Sequence, residues 1–573
     1  MLPPTARRRA LVTAVVLACL AAAPGCGNSA APGAVPGAEP AASRRTMSAV
    51  LGLTGSREAR RPNMLVIETD DMRWDDLRFM PHVRRLVQDR GLSFENSFAP
   101  YPLCAPSRSS FLTGQYAHNH HVYTHLEPYG FAALRDRHTL ATVLQDAGYR
   151  TGLVGKYVNG YGEQYLRSGK PSLHYVPPGW DQWYAGSDHL WDFDDPNYGG
   201  GTYSYTHLVQ NINGRIEAFP GRYSTDVVAE QARGVIDGFG RSDAPWFVWW
   251  TPTAPHHGLP VEPDDPAPTR RRDGQFSEWD TPGRPDWVKG RFDHLVQHGS
   301  GTPPRHSAEA DVKDKPVYLK KLPDLSPEER DAETEVTRQR AEALYALDVQ
   351  IRDTIAHLRH TGQLKNTIIV FTSDNGYYLG EHRKRTGKVN LHEPSLRVPL
   401  LIAGPGVPHG RRYDPVTTVD LAPTFASYAG TTMSGADGTS ILPVITGGDL
   451  GWRRPVVTEG MMGFGRYDDQ YQLGRSPLDT RGLRLGRWKL TRYSTGEQEL
   501  YDLEKDPLEL RNLVRVPADA KVLHEMRGLF DTYWNCRGDG CRAALPARFQ
   551  VSPAREERLT DHQVAATDAY FGN

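Results

Sequence analysis

Residues 63–71 read NMLVIETDD, an apolar run from Met64 to Ile67 that ends on two aspartates, Asp70 and Asp71. A run this short and this apolar reads as a strand buried on both faces, the strand type of parallel sheets. Similar runs recur. TGLVGKY (151–157) delivers Lys156, PWFVWWTPTAPHH (245–257) delivers His256 and His257, and NTIIVFTSDNG (366–376) delivers Asp374 and Asn375. VPLLIAGPG (398–406) ends in a Gly-Pro turn. Helical patterns lie between them. Leu140, Val143, Leu144 and Ala147 form one stripe closed by Gly148; Leu344, Leu347, Ile351, Ile355 and Leu358 form another, with Gly362 as its stop. The alternation predicts an α/β fold with a largely parallel sheet flanked by helices. Such sheets hold their sites beyond the carboxyl ends of the strands, so the polar residues that follow each run should meet in one crevice.

Asp70, Asp71, Asp374 and Asn375 offer only oxygen donors. Three carboxylates brought together repel one another unless a cation lies between them, and this donor set suits Ca²⁺ or Mg²⁺ rather than zinc. The competing reading is that each pair only caps a helix or makes a turn. His118, His120 and His121, in HNHHV, read as pocket-lining or locally packed residues rather than as a metal site.

The chain has 573 residues and a formal net charge of −1, which is not the charge of a nucleic-acid binder. Residues 1–26 look like an export signal: Arg7, Arg8 and Arg9, an apolar run from Leu11 to Ala23, then Cys26. Cys26 stands where a bacterial lipoprotein carries its lipid, so the product is either secreted or lipid-anchored at the cell surface. The run is shorter than the ~20 residues that a spanning helix needs. Residues 27–60, rich in Ala, Gly, Pro and Ser, read as a flexible linker. Cys536 and Cys541 flank a turn-rich RGDG and are expected to form a local disulfide.

The segment YPLCAPSRSSFLTG (101–114) places Cys104 at the expected start of a short helix ended by Gly114, with Arg108 one turn further on. A helix N-terminus favours an anion, and an arginine fork reinforces it. Cys104-Ala105-Pro106-Ser107-Arg108, three residues, then Leu112-Thr113-Gly114 resembles the signature of the type I sulfatases, members of the alkaline phosphatase superfamily. The resemblance spans Pro62 to Leu513. LTGQYAHNHHVYTH, GKYVNGYG, VPPGWDQWYA and YSYTHLVQNING are similar to N-acetylglucosamine-6-sulfatases and heparan endosulfatases, and GRWKLTRY and ELYDLEKDPLELRNL to the family's C-terminal subdomain.

The resemblance implies a sulfatase-like core over 61–440, a smaller C-terminal subdomain with a short antiparallel sheet and a helix over 441–545, and a tail over 546–573. It implies that a formylglycine-generating enzyme converts Cys104 to Cα-formylglycine, and that Ca²⁺ is bound by Asp70, Asp71, Asp374, Asn375 and the modified residue 104. Arg108, Lys156 and Lys388 would hold the nucleophile and the sulfate, Asp374 would accept a proton, and His256 would protonate the leaving alcohol; Arg397, in LRVP, also fits the pattern. The substrate class implied is a sulfate ester, on a sugar such as glucosamine 6-sulfate. The chain departs from the pattern at Asn375, at HEPSLR (392–397), and after Lys156, where Tyr157-Val158-Asn159 lacks the histidine of arylsulfatases. The base for sulfate release is therefore open, with His382 and the HNHH histidines as candidates; Lys156, His256, Lys388 and His382 are the expected substrate contacts. Two other readings share these residues: a formylglycine-dependent phosphonate or phosphodiester hydrolase, and a surface protein that binds sulfated glycans without turnover. Residues 260–335, rich in Pro, Asp, Arg and Lys, read as an insertion shaping substrate entry.

Overall fold

The first strand, β1 (Asn63–Thr69), is buried along its whole length at the centre of a ten-stranded sheet. This computed structural model describes residues 61–189, 200–462 and 478–572; the expected signal, the linker and Cys26 lie outside them. The other central strands are β2 (Arg150–Gly155), β3 (Gln182–Gly186), β4 (Trp246–Thr251) and β5 (Thr367–Ser373). These five are parallel in the order β5-β1-β4-β2-β3. Met64 and Val66 face one apolar cluster, and Leu65 and Ile67 the other. With both faces covered, the strand reads as a continuous apolar run rather than an alternating one.

Helix α1 (Cys104–Thr113) and helix α2 (Leu140–Asp146) contribute Phe111, Leu112, Leu140 and Leu144 to the first cluster. Helices α3 (Ser224–Phe239) and α4 (Pro327–His360) cover the opposite face. The predicted stripe from Leu344 to Leu358 is the last part of α4, and Gly362 follows its end with φ 74°. The helix starts inside the expected insertion, where Ser326 and Glu329 form a reciprocal cap.

The sheet is mixed at both edges. The predicted strand of VPLLIAGPG, β6 (Leu400–Ala403), runs antiparallel to β5. Residues 374–399 carry no crossover helix, so the chain re-enters the sheet from the end it left. Only a crossover connection makes neighbouring strands parallel. The Gly-Pro turn after β6 therefore lies away from the carboxyl ends of the central strands. Two further antiparallel strands, His207–Ile212 and Arg215–Pro220, extend the opposite edge.

The C-terminal region holds a four-stranded antiparallel sheet: Val456–Gly460, Thr480–Leu485, Trp488–Tyr493 and Gln498–Asp502. Helix α5 (Ala520–Tyr533) packs on it through Met526 and Phe530, and Cys536 is bonded to Cys541. Residues 553–571, within the expected tail, form α6 (Pro553–Phe571), whose Thr560 meets Asn96 at 2.8 Å. Among the described residues no helix is long and apolar enough to cross a membrane.

Candidate active site

Strand register builds the site. Thr69 lies opposite Ser373, and Gly155 opposite Thr251. The residues that follow, Asp70, Asp374 and Lys156, therefore emerge side by side. Asp71 is left-handed, with φ 67°. Its N–H donates to Asp374 Oδ1 at 3.1 Å, and its carbonyl accepts from Arg340 of α4 at 2.5 Å. Arg340 also donates to the Pro255 carbonyl at 3.2 Å, so a single guanidinium fixes the backbone beneath Asp71 and beside His256.

Cys104, the first residue of α1, is fully buried. Its Sγ lies 3.3 Å from Asp70 Oδ1 and 2.9 Å from Lys388 Nζ. Lys388 also pairs with Asp71. Lys156 Nζ sits 2.5 Å from Asp70 Oδ2 and 4.8 Å from the Tyr203 ring centre. Arg108 Nε donates to Asp374 Oδ2 at 2.9 Å. His256 Nε2 is 3.6 Å from Asp71 Oδ2, while its Nδ1 faces the His257 carbonyl at 2.7 Å.

Burial decides the protonation of most of these groups. It pushes the Cys104 thiol up, and the nearby Asp70 carboxylate pushes it further, so an unmodified Cys104 is a neutral thiol and a poor nucleophile. Burial raises Asp374 to about 6, helped by Asp70 and opposed by Arg108. Burial would also raise Asp70 and Asp71, but their cationic neighbours override it. Lys156 leads for Asp70, which falls well below the usual carboxylate range; Lys388 leads for Asp71, which falls to about 2. Burial holds His256 well below its ordinary value despite Asp70 and Asp71.

One ligand atom from each of Asp70, Asp71, Cys104 and His256 lies within 4.8 Å of the others. Asn375 Nδ2 donates to Asp71 Oδ1 at 2.6 Å, and its Oδ1 is buried without a hydrogen-bond partner. An orphaned amide oxygen among carboxylates fits a hard divalent cation.

Not every predicted residue reaches this crevice. His382 is buried beside Glu309 at 2.8 Å and packs against His392 with ring centres 4.2 Å apart, lining a separate small pocket with Arg73 and Arg397. His118 bonds Glu459 at 2.7 Å and the Cys536 carbonyl, and His120 bonds Ser110. His121 packs on the exterior against Tyr123. Other residues enter that the reading of the sequence did not single out. His125 lines the crevice with Asp71, His256 and Lys388, as do Asn159 and Tyr203. Glu68, inside β1, is fully buried, accepts from Trp249 Nε1 at 2.6 Å, and is raised by burial to about 7. His125 carries a local signal, since it ends the stretch LTGQYAHNHHVYTH. Glu68 carries none, because a strand buried on both faces has no periodicity that would mark one polar residue.

Residues 62–431 match the family described as Sulfatase, and residues 380–533 match the family N-sulphoglucosamine sulphohydrolase, C-terminal. An arylsulfatase of Chlamydomonas reinhardtii is 30% identical over 535 residues, covering 86% of this chain and 78% of that protein. The N-acetylglucosamine-6-sulfatase of Homo sapiens is 27% identical, covering 86% and 88%. A solved structure of BT4656 with its substrate D-glucosamine-2-N,6-O-disulfate aligns with a TM-score of 0.61 at 21% identity, over 82% of this chain and 97% of that one. With a family match across most of its length and this arrangement at the strand ends, the chain belongs to the sulfatase family of sulfuric ester hydrolases.

Proposed function

We propose that this chain cleaves a sulfate monoester of a sugar, such as glucosamine 6-sulfate, to alcohol and sulfate, with formylglycine at position 104 and Ca²⁺ beside it. The observation that carries the reading is the placement of Cys104 Sγ between Lys388 Nζ and Asp70 Oδ1, at 2.9 and 3.3 Å, in a site where a thiol stays protonated. Formylglycine at 104, once hydrated, would supply an oxygen nucleophile and a second hydroxyl for release of the sulfate. Asp70, Asp71, Asp374 and Asn375 would hold the Ca²⁺, which would supply positive charge to the site.

The charge balance supports this reading. Three carboxylates are matched by Arg108, Lys156 and Lys388. A divalent cation adds two positive charges, which one sulfate monoester and one deprotonated nucleophile offset. Lys156 and Lys388 flank residue 104 and stabilise charge that develops on the transferring group. Asp374, held as a carboxylate beside Arg108, accepts the nucleophile's proton in this reading. The Nδ1–H of His256 donates to the His257 carbonyl, which leaves Nε2 facing the site. A bound sulfate adds the negative charge that His256 needs to hold a proton there and pass it to the leaving oxygen. The expected localisation is export, secreted or lipid-anchored through Cys26; the Cys536–Cys541 disulfide agrees with an oxidising compartment.

Mass spectrometry of the residue-104 peptide tests the reading, using protein made with a formylglycine-generating enzyme. Active protein that retains a thiol at 104 sinks the mechanism. Chelation is expected to abolish sulfate release and Ca²⁺ to restore it. Parallel rates on aryl sulfate and aryl phosphate decide the ester, with the sulfate expected to be faster.

A further inference from the structure

The crevice that opens from Lys388 and His256 has a volume of about 1000 Å³. Its wall is one-sided in charge. Glu163, Asp188, Asp265, Glu278 and Asp280 line it beyond the catalytic residues, with Asp280 3.5 Å from His257 Nδ1, and among the described residues no arginine does. Glu163, Glu278 and Asp280 are exposed. The lysine of the outer wall, Lys384, turns its ammonium onto Asn390 and over the Tyr378 ring. Lys388 is already engaged with Asp71 and residue 104.

A second feature of the same wall points to a ligand. Asn159 is 3% exposed and lines the crevice; its Nδ2 donates to Tyr203 Oη, and its Oδ1 is buried without a partner. A buried acceptor without a partner on a residue of the cavity wall is a place for a donor, from the ligand or from an ordered water. Asp188 stands beside it, accepting from Gly160 N at 2.9 Å. A hydroxyl can donate to either group, but only a protonated amine also offsets the negative charge of the wall. A second sulfate or a carboxylate on the substrate would be repelled by that charge.

Resting on the sulfatase reading above, we propose that the alcohol half of the substrate carries a protonated amine, selected by Asn159 Oδ1 and the carboxylates of Glu163, Asp188, Glu278 and Asp280. A free amino sugar has this chemistry; a chain of sulfated, carboxylated sugars does not.

The test uses three 6-O-sulfated glucosamines that differ only at nitrogen: free amine, N-acetyl and N-sulfo. The readout is kcat/KM for sulfate release by the Ca²⁺-loaded enzyme. The amine is expected to exceed the N-sulfo compound by about tenfold or more at low ionic strength, with the ratio shrinking as salt screens the wall. The same ratio is expected to fall in Asn159→Ala and in the Glu163→Gln/Glu278→Gln double variant. If 4-nitrophenyl sulfate is turned over and the N-sulfo compound is equal or better, the proposal is wrong and the sulfatase reading stands. If no ester is hydrolysed, the sulfatase reading fails. Calorimetric titration with glucosamine, N-acetylglucosamine and glucosamine N-sulfate then decides the wall alone: tightest binding of the amine supports it, and equal or tighter binding of the N-sulfo sugar overturns it.

Discussion

Replacing Lys156 with methionine removes one positive charge from the site and leaves the stem in place beside Tyr203. The ammonium lies 2.5 Å from Asp70 Oδ2 and the residue is 2% exposed. At an effective dielectric of about 20 the gross attraction is about 7 kcal/mol, most of it offset by the cost of burying both charges. For catalysis the relevant quantity is the charge that appears on the transferring group, where losing one preorganised donor costs about 2.7–4 kcal/mol, or roughly 100- to 1000-fold. Lys156→Met is therefore expected to lower kcat/KM for an aryl sulfate at least 100-fold, with most of the loss in kcat. The assay is initial-rate sulfate release with Ca²⁺ in excess. Mass spectrometry of residue 104 is run on the same sample, so that failed conversion is not read as failed catalysis. A converted enzyme that loses less than about fivefold would refute the placement of this charge at the reacting centre.

Two other perturbations follow from single contacts. Gly155 ends β2 with φ 118°, and a Cβ there would lie 2.2 Å from the Thr251 carbonyl oxygen. Gly155→Ala is expected to cost about 3 kcal/mol or more in chemical denaturation and to lower kcat by displacing Lys156; an unchanged midpoint and rate would contradict this. His118 is buried, which lowers its affinity for a proton, but Glu459 outweighs burial and raises it above the ordinary 6.5. Glu459 is buried too, which favours its neutral form, but His118 overrides this and holds it below 4.5. The pair's contribution is fully present between those two ordinary values. It is lost as pH rises through the raised His118 value, or falls through the lowered Glu459 value. His118→Ala is expected to destabilise the protein by about 3 kcal/mol near pH 6, with the gap narrowing on the alkaline side; a gap that does not change with pH would refute the pairing.

Much of the site was legible because its residues directly follow strands. Asp70, Lys156 and Asp374 each stand one residue past the end of a buried strand, and parallel register turns that sequence position into proximity. Cys104 and Arg108 were legible as the first turn of a helix, four residues apart on one face. His382 was not. Its GEHR segment reads like any polar loop, and only the packing of Glu309 and His392 around it removes it from the crevice. The antiparallel course of β6 was hidden in the same way, since an apolar run has no direction until its connection is known.

Local sequence therefore determined the alternation of strands and helices, the helix start at Cys104, the cysteine pair in its short loop, and which residues leave the strands at their carboxyl ends. These depend on periodicity, caps and short spacings, all of which act within a few residues. Tertiary structure decided the rest: that Arg340 holds Asp71 and Pro255, that Asn375 leaves an oxygen without a partner, and that the crevice wall is acidic. Each of these joins residues far apart in the chain, and their burial and mutual charge exist only once the fold has brought them together.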